Sequence, residues 1–227
     1  MPRYHFPDLK GVAPEDTPEG LVALGGDLSV ENLMEAYRKG IFPWPVGSWP
    51  VTWFSPIRRA ILDFRDLHVP RSLRQARKRD RFSFTLDQSF NEVIEACARS
   101  PRPGPGDTWI TPPMLLAYRE LHRAGFAHSV EAWTATPGSD GKRRLVGGLY
   151  GVDVDGAFAG ESMFHREPNA SKLALVFLME YLGSRGLEWI DIQMLTPHLS
   201  ALGAREISRD EYLAKLAATR ARGLRIL

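Results

Sequence analysis

The chain has 227 residues, 44% of them apolar and 25% charged, with a net charge of only +2 and a single cysteine. That is enough apolar residue for a sizeable core, and it excludes a disordered chain, a disulfide scaffold and, with no apolar run of about 18 residues, a membrane-spanning helix. The opening MPRYHFPDLKG has no apolar signal core, so the cytoplasm is the expected compartment. In chain order, residues 1–57 read as a small N-terminal domain and residues 58–227 as a larger one. After a proline-rich opening, Ser29 is placed to cap a helix running through VENLMEAYRK to Gly40. Next, IFPWPVGSWPVTWFSP crowds Pro43, Pro45, Pro50 and Pro56 among Phe42, Trp44, Trp49, Trp53 and Phe54, and so predicts an aromatic loop. Such a cluster packs domains together or, beside basic residues, offers a surface on which bases stack.

Ala60–Phe64 is expected to be a strand, and Pro70 opens a basic helix with Arg71, Arg74 and Lys78 on one side. Between Pro70 and Arg81, six cations face one acid, a local excess of +5 that leaves −3 for the rest of the chain and points to a phosphate-binding face. RFSFTL alternates as a strand, Asp87 is expected to cap a helix through Ala98, and SPRPGPG is a connector. Cys97 lies at helical spacing in NEVIEACA, as a buried small hydrophobe does. Thr111-Pro112 starts a further helix to Gly125, and HSVEAW is the next strand.

LVGGLYGVDVDGAFAGESMF predicts a hairpin, Asp155-Gly156 supplying the two positive φ angles of its tight turn. Gly147, Gly148, Gly151 and Gly160 mark places where a backbone or ligand comes close. Asn169 begins ASKLALVFLMEYL, apolar on almost every side and hence a buried helix. LEWIDIQM then alternates, sending Trp189, Asp191 and Gln193 to one face and Ile190, Ile192 and Met194 to the other. The whole is an α+β fold without internal repeats. His128, His165 and His198 match no compact ligand spacing, so no metal is expected, and no cofactor is implied.

Several short motifs occur together: FPW at Phe42–Trp44, WFSP at Trp53–Pro56, TWIT at Thr108–Thr111, GFAHSVEAW, GESMF around Glu161, and IDIQ at Ile190–Gln193. In this order, from about Gly20 to about Leu213, the sequence resembles the leucyl/phenylalanyl-tRNA–protein transferases of bacteria. The resemblance implies a cytosolic aminoacyltransferase that moves Leu or Phe from aminoacyl-tRNA to the N-terminal Arg or Lys of an acceptor protein, tagging it for N-end degradation. It also implies a larger domain like that of acetyltransferases, a mixed sheet flanked by helices.

Carried over residue by residue, the resemblance assigns Trp44 and Trp109 to the adenosine end of the tRNA, and Arg71, Arg74, Lys78 and Arg79 to its backbone. Leu149, Phe158, Leu175, Leu178 and Ile190 would line the pocket for the donor side chain. Glu161 would recognise the acceptor, and Asp191 and Gln193 would be the catalytic pair. Gln75, Leu149 and Thr196 depart from the family pattern, which has a more basic residue, a methionine and an asparagine there. The expected mechanism has Asp191 accept a hydrogen bond from the Gln193 side-chain amide, whose oxygen then accepts a proton contact from the attacking α-amine. Two rival functions are a tRNA-end-binding protein without catalysis and an acetyl-CoA-dependent N-acetyltransferase. The latter needs a glycine-rich pyrophosphate loop where this chain has HREPNASK.

Overall fold

Four prolines in the aromatic stretch around Trp49 do not prevent a sheet from forming. A computed structural model describes residues 4–101 and 108–227, so most of the SPRPGPG connector lies outside the described residues. In it β1 (Leu21–Leu24), β2 (Phe42–Pro43) and β3 (Thr52–Phe54) pair antiparallel in the order β1-β3-β2. The expectation of loop throughout the aromatic stretch is thus corrected. Pro43 sits on an edge strand, where an absent N–H is tolerated, and the central strand β3 is the proline-free piece between Pro50 and Pro56. Helix α1 (Val30–Arg38) lies between β1 and β2 in the chain; Ser29 caps it and Gly40, at φ 74°, follows its end.

The main sheet has seven strands: β4 (Arg58–Asp63), β5 (Phe82–Leu86), β6 (Ala127–Thr134), β7 (Leu145–Val154), β8 (Ala157–His165), β9 (Trp189–Gln193) and β10 (Arg205–Ser208). Their order is β10-β4-β9-β8-β7-β6-β5, and every neighbouring pair is antiparallel except β8 and β9. The β7–β8 turn is the expected one, with φ 52° at Asp155 and 93° at Gly156. The remaining helices are α2 (Arg71–Lys78), α3 (Phe90–Arg99), α4 (Pro112–Arg123), α5 (Ala170–Ser184), α6 (Pro197–Ser200) and α7 (Arg209–Ala221). Mixed sheet and flanking helices make the fold α+β. Among the described residues no helix is long and apolar enough to cross a membrane.

Alternation along the strands splits the core in two. On one face, α1, α3, α4, α7 and the small sheet bury Tyr37, Trp53, Ile94, Tyr118, Tyr150 and Trp189. On the other, α5 and α2 bury Leu73, Leu149, Phe158, Leu175, Leu178 and Ile190. Helix α5 comes very close to β7: a Cβ on Gly147 would stand 2.6 Å from Ala170 Cβ and 3.0 Å from Ser171 N. Glycine there sets the helix-to-sheet distance.

Two caps differ from expectation. Asp87 does not cap α3; at φ 55° it turns its carboxylate to His128 Nδ1 (2.7 Å) and the Ser129 amide (2.8 Å). The Gln88 and Ser89 amides, just before α3, donate instead to Glu131, which reaches across from β6. Asn169 stands at the start of α5 but in left-handed backbone (φ 72°), with no side-chain cap bond.

Candidate functional site

Parallel strands expose their carboxyl ends on the same side of a sheet, and a gap between two such strands is a ready-made crevice. Strands β8 and β9 form this gap. Their ladder holds only Phe158 with Ile190 and Ala159 with Asp191, and it stops before Glu161 and Gln193. Gly160 lines the gap, since a Cβ there would meet only Asp191 O, at 3.5 Å. Of the four glycines in the two strands of the hairpin, Gly147, Gly148 and Gly151 make room for protein atoms closer than 3 Å, and Gly160 alone faces space.

Across the mouth of the gap, Gln193 Nε2 donates to Glu161 Oε1 at 3.0 Å. Glu161 also meets two tyrosine hydroxyls, Tyr37 from α1 (2.8 Å to Oε1) and Tyr118 from α4 (3.1 Å to Oε2). Those hydroxyls are 2.5 Å from each other. Burial pushes the Glu161 carboxyl up to about 7 although both tyrosines favour its ionised form; the nearby charge of Asp191 adds to the rise. Burial likewise raises both tyrosines well above their usual value.

Asp191, one strand residue before the gap opens, is buried and fully engaged. Arg59 of β4 grips it side-on, Nε to Oδ1 at 2.9 Å and Nη2 to Oδ2 at 2.7 Å, and Tyr212 of α7 donates to Oδ2 at 2.8 Å. The guanidinium is only 1% exposed, lies between the rings of Phe42 (4.7 Å) and Tyr212 (4.5 Å), and gives a further hydrogen bond to Gly40 O. Burial works against its charge, but Asp191 more than restores it, and Arg59 titrates above its ordinary range.

The expected bond between Asp191 and the Gln193 side chain is absent, and this expectation is corrected. Asp191 Oδ1 accepts from the backbone N of Gln193 at 2.9 Å, while the side-chain amide goes to Glu161. The reason is local. Gln193 has φ 56°, which ends the extended strand and swings its side chain away from the line that alternation gives it. The aspartate therefore holds a backbone bend, and Glu161 holds the amide.

The other expected site residues fall into three groups. Trp44 and Trp109, from separate loops, stack on one another at 5.4 Å with 19° between planes. Trp44 also meets Phe42 edge-on at 6.5 Å, so a chain of aromatic contacts runs from this pair through Phe42 to Arg59 and Asp191. Arg71, Arg74, Lys78 and Arg79 are all exposed on or next to α2, and no ion pair among the described residues engages them. Arg77 and Arg81 differ: Glu180 binds the first at 2.6 Å and Glu167 the second at 3.1 Å. A surface hollow of about 520 Å³ lined by Val69, Arg74, Arg77 and Lys78 runs along this face. Leu149, Phe158, Leu175, Leu178 and Ile190 are gathered in one core cluster, each 3% exposed or less. Half-buried Met163 and Ile192 pack against them, Met163 opposite Leu149 on β8 and Ile192 on β9 just beyond the last paired residue.

Sequence reasoning missed Arg59, Tyr212, Tyr37 and Tyr118. Tyrosines on the buried faces of α1 and α4 carried a signal, because a buried hydroxyl needs a partner. Arg59 carried none, for a strand arginine is ordinarily a surface residue. Thr196 caps α6, its Oγ1 accepting from Leu199 N at 3.3 Å, and makes no hydrogen bond to Glu161 or Gln193.

A family model described as leucyl/phenylalanyl-tRNA protein transferase matches residues 61–217, and one for the N-terminal domain of the same proteins matches residues 26–57. A leucyl/phenylalanyl-tRNA–protein transferase of Nitratidesulfovibrio vulgaris is 47% identical over 219 residues, covering 95% of this chain and 91% of the relative. One from Anaeromyxobacter dehalogenans is 50% identical over 200 residues (88% and 83%), and one from Colwellia psychrerythraea 49% over 198 residues (87% and 81%).

Proposed function

The chain belongs to the leucyl/phenylalanyl-tRNA–protein transferase family and is an aminoacyltransferase acting from tRNA to protein, and we propose that it joins Leu or Phe to acceptors bearing N-terminal Arg or Lys, in the cytoplasm, with the gap between β8 and β9 as its active site. The observation that carries this reading is the hydrogen bond from Gln193 to Glu161 across the open end of the two strands. It ties a neutral amide to a carboxyl group at a crevice beside an aromatic pair, as a reaction between an ester and a cationic acceptor requires.

The α-amine attacks the ester carbonyl, the bond to the tRNA oxygen breaks, and the proton lost by nitrogen ends on that oxygen. An activated ester makes the reaction easy, and positioning alone supplies about 7–11 kcal/mol of barrier lowering. Gln193 is the positioning group. With its NH2 committed to Glu161, its Oε1 accepts from the α-amine and aims the nitrogen lone pair at the carbonyl. Asp191, locked by Arg59 and Tyr212, holds the bend that presents the amide and does not act as a base. Glu161 receives the cationic side of the acceptor.

The terminal adenosine stacks at Trp44 and Trp109, and the four unpaired cations of the α2 region take backbone phosphates. The donor side chain enters where Met163 and Ile192 lie over Leu149, Phe158, Leu175, Leu178 and Ile190; methionine gives way readily. The acetyl-CoA alternative finds no support at α5, whose N-terminus is pressed onto Gly147 and has no glycine-rich loop.

Labelled Phe-tRNA incubated with a peptide beginning Arg tests the reading. Peptide-linked label with Arg-Ala but not Ala-Arg is expected, with at least a tenfold slower transfer in Gln193→Ala. Equal labelling of both peptides would remove the acceptor assignment.

A further inference from the structure

The hydrogens around Glu161 do not balance if its carboxyl is ionised. Three groups close a triangle: Tyr37 Oη to Tyr118 Oη at 2.5 Å, Tyr37 Oη to Glu161 Oε1 at 2.8 Å, and Tyr118 Oη to Glu161 Oε2 at 3.1 Å. Three contacts need three protons, and two phenols bring only two. Gln193 Nε2 already has its own contact with Oε1 and leaves the deficit unchanged. A carboxylate would therefore leave one side of the triangle with oxygen lone pairs face to face, beside tyrosines that are 2% and 0% exposed.

We propose that Glu161 is a neutral acid in the free protein, closing a ring in which Glu161 Oε2–H donates to Tyr118, Tyr118 to Tyr37, and Tyr37 to Glu161 Oε1, and that a cationic acceptor end docking there drives the proton into solvent. All three bonds then run in one sense, so each strengthens the next. The facing groups allow it. Tyr37 comes from α1, Tyr118 from α4, Asp191 and Gln193 from β9, and Arg59 from β4; the only full charges among them, Arg59 and Asp191, are locked to each other and largely cancel at Glu161. Burial of the carboxyl works in the same direction.

Ionisation rearranges the ring. Tyr118 turns its hydroxyl to Oε2, Tyr37 keeps Oε1, and the short contact between the two phenols loses its proton and opens. The atoms balance: a neutral carboxyl and an arriving cation become an ion pair, and one proton leaves to water. Below neutrality the affinity for a cationic acceptor then rises about tenfold per pH unit, and above it levels off.

The second half of this proposal rests on Glu161 receiving the acceptor, and two measurements keep the halves apart. Infrared difference spectra of the free protein, one pH unit below neutrality, should contain the carbonyl stretch of a protonated carboxyl that Glu161→Gln lacks. That band should titrate away through neutrality. The glutamine side chain reproduces the donor and acceptor pattern of the neutral acid, so the variant keeps the ring and its fold. Its absence from wild-type spectra, or its persistence in the Gln variant, would overturn the neutral acid. Calorimetry of an Arg-Ala peptide below neutrality, in two buffers of different ionisation enthalpy, should report close to one proton released per peptide, and none in Glu161→Gln. A wild-type band without proton release would leave the ring standing and overturn acceptor docking at Glu161.

Discussion

Gln193 holds a backbone conformation that few non-glycine residues adopt, at a point where the strand could have continued. Strain of this kind costs on the order of 1 kcal/mol and persists only where surroundings impose it; here Asp191 does so by accepting from the backbone N–H of Gln193. Replacing Gln193 by Ala and by Gly separates the two contributions. Both should slow peptide transfer alike with aminoacyl-tRNA affinity unchanged, while Gly should unfold at higher denaturant than Ala, by roughly 1 kcal/mol. Unequal rates in the two variants would show that the bend, and not the amide, does the chemistry. Asp191 calls for a different reading. Its removal leaves the buried Arg59 guanidinium without a counter-charge, so Asp191→Ala should lose about 3–5 kcal/mol of stability in addition to activity. A rate measured without a parallel denaturant curve would therefore mistake a folding defect for a catalytic one.

Helix α2 packs against α5, burying Leu73, which is 2% exposed, in the core on that face, and turns its cations outward. Because Arg77 is engaged by Glu180 and no ion pair among the described residues engages Arg71, Arg74, Lys78 or Arg79, the latter four are the ones that can exchange salt ions for phosphates. Reversing Arg74 and Lys78 to Glu should weaken every aminoacyl-tRNA and lower the slope of log affinity against log salt by about two, one for each lost phosphate contact. Arg77→Ala should change that slope less. A filter-binding series over salt concentration decides between them. Helix α5 depends on its approach to β7: Gly147→Ala would force Ala170 and the Ser171 backbone away, at a cost of about 1–3 kcal/mol in urea unfolding. No change in the unfolding midpoint would show that α5 can shift freely.

At the scale of the whole molecule, the tip of the β7–β8 hairpin is fastened by Asp155, which Arg38 of α1 and Arg220 of α7 both reach, at 2.9 Å and 2.7 Å. The Arg38 hydrogen bond is the largest influence holding this carboxyl below its ordinary value; Arg220 adds to it against partial burial. A depressed carboxylate contributes stability that is complete above its unfolded pKa and lost as pH falls through the folded one, so this contribution fades below about pH 4. Glu161 has the opposite sign, its raised pKa making stability fall as pH rises from its unfolded value toward about 7. Thermal unfolding against pH should therefore show an acid limb that Asp155→Asn flattens and a decline toward neutrality that Glu161→Gln removes. Element types were legible in the sequence because they follow from periodicity and turn chemistry, both local: the Asp155-Gly156 hairpin, the buried α5 and the alternation of β9 from Trp189 to Ile192 are as expected. The motifs carrying Trp44, Glu161, Asp191 and Gln193 were legible through their resemblance to the family. What the sequence left undetermined was every relation between distant segments. Tyr37, Arg59, Tyr118 and Tyr212 come from four separate elements, and only the packing of α1, α4 and α7 against one face of the sheet brings them to Glu161 and Asp191. The partner of the Gln193 amide was decided the same way: two residues on a straight strand share a face, but one positive φ redirects the side chain, and that angle is set by tertiary contacts outside the strand.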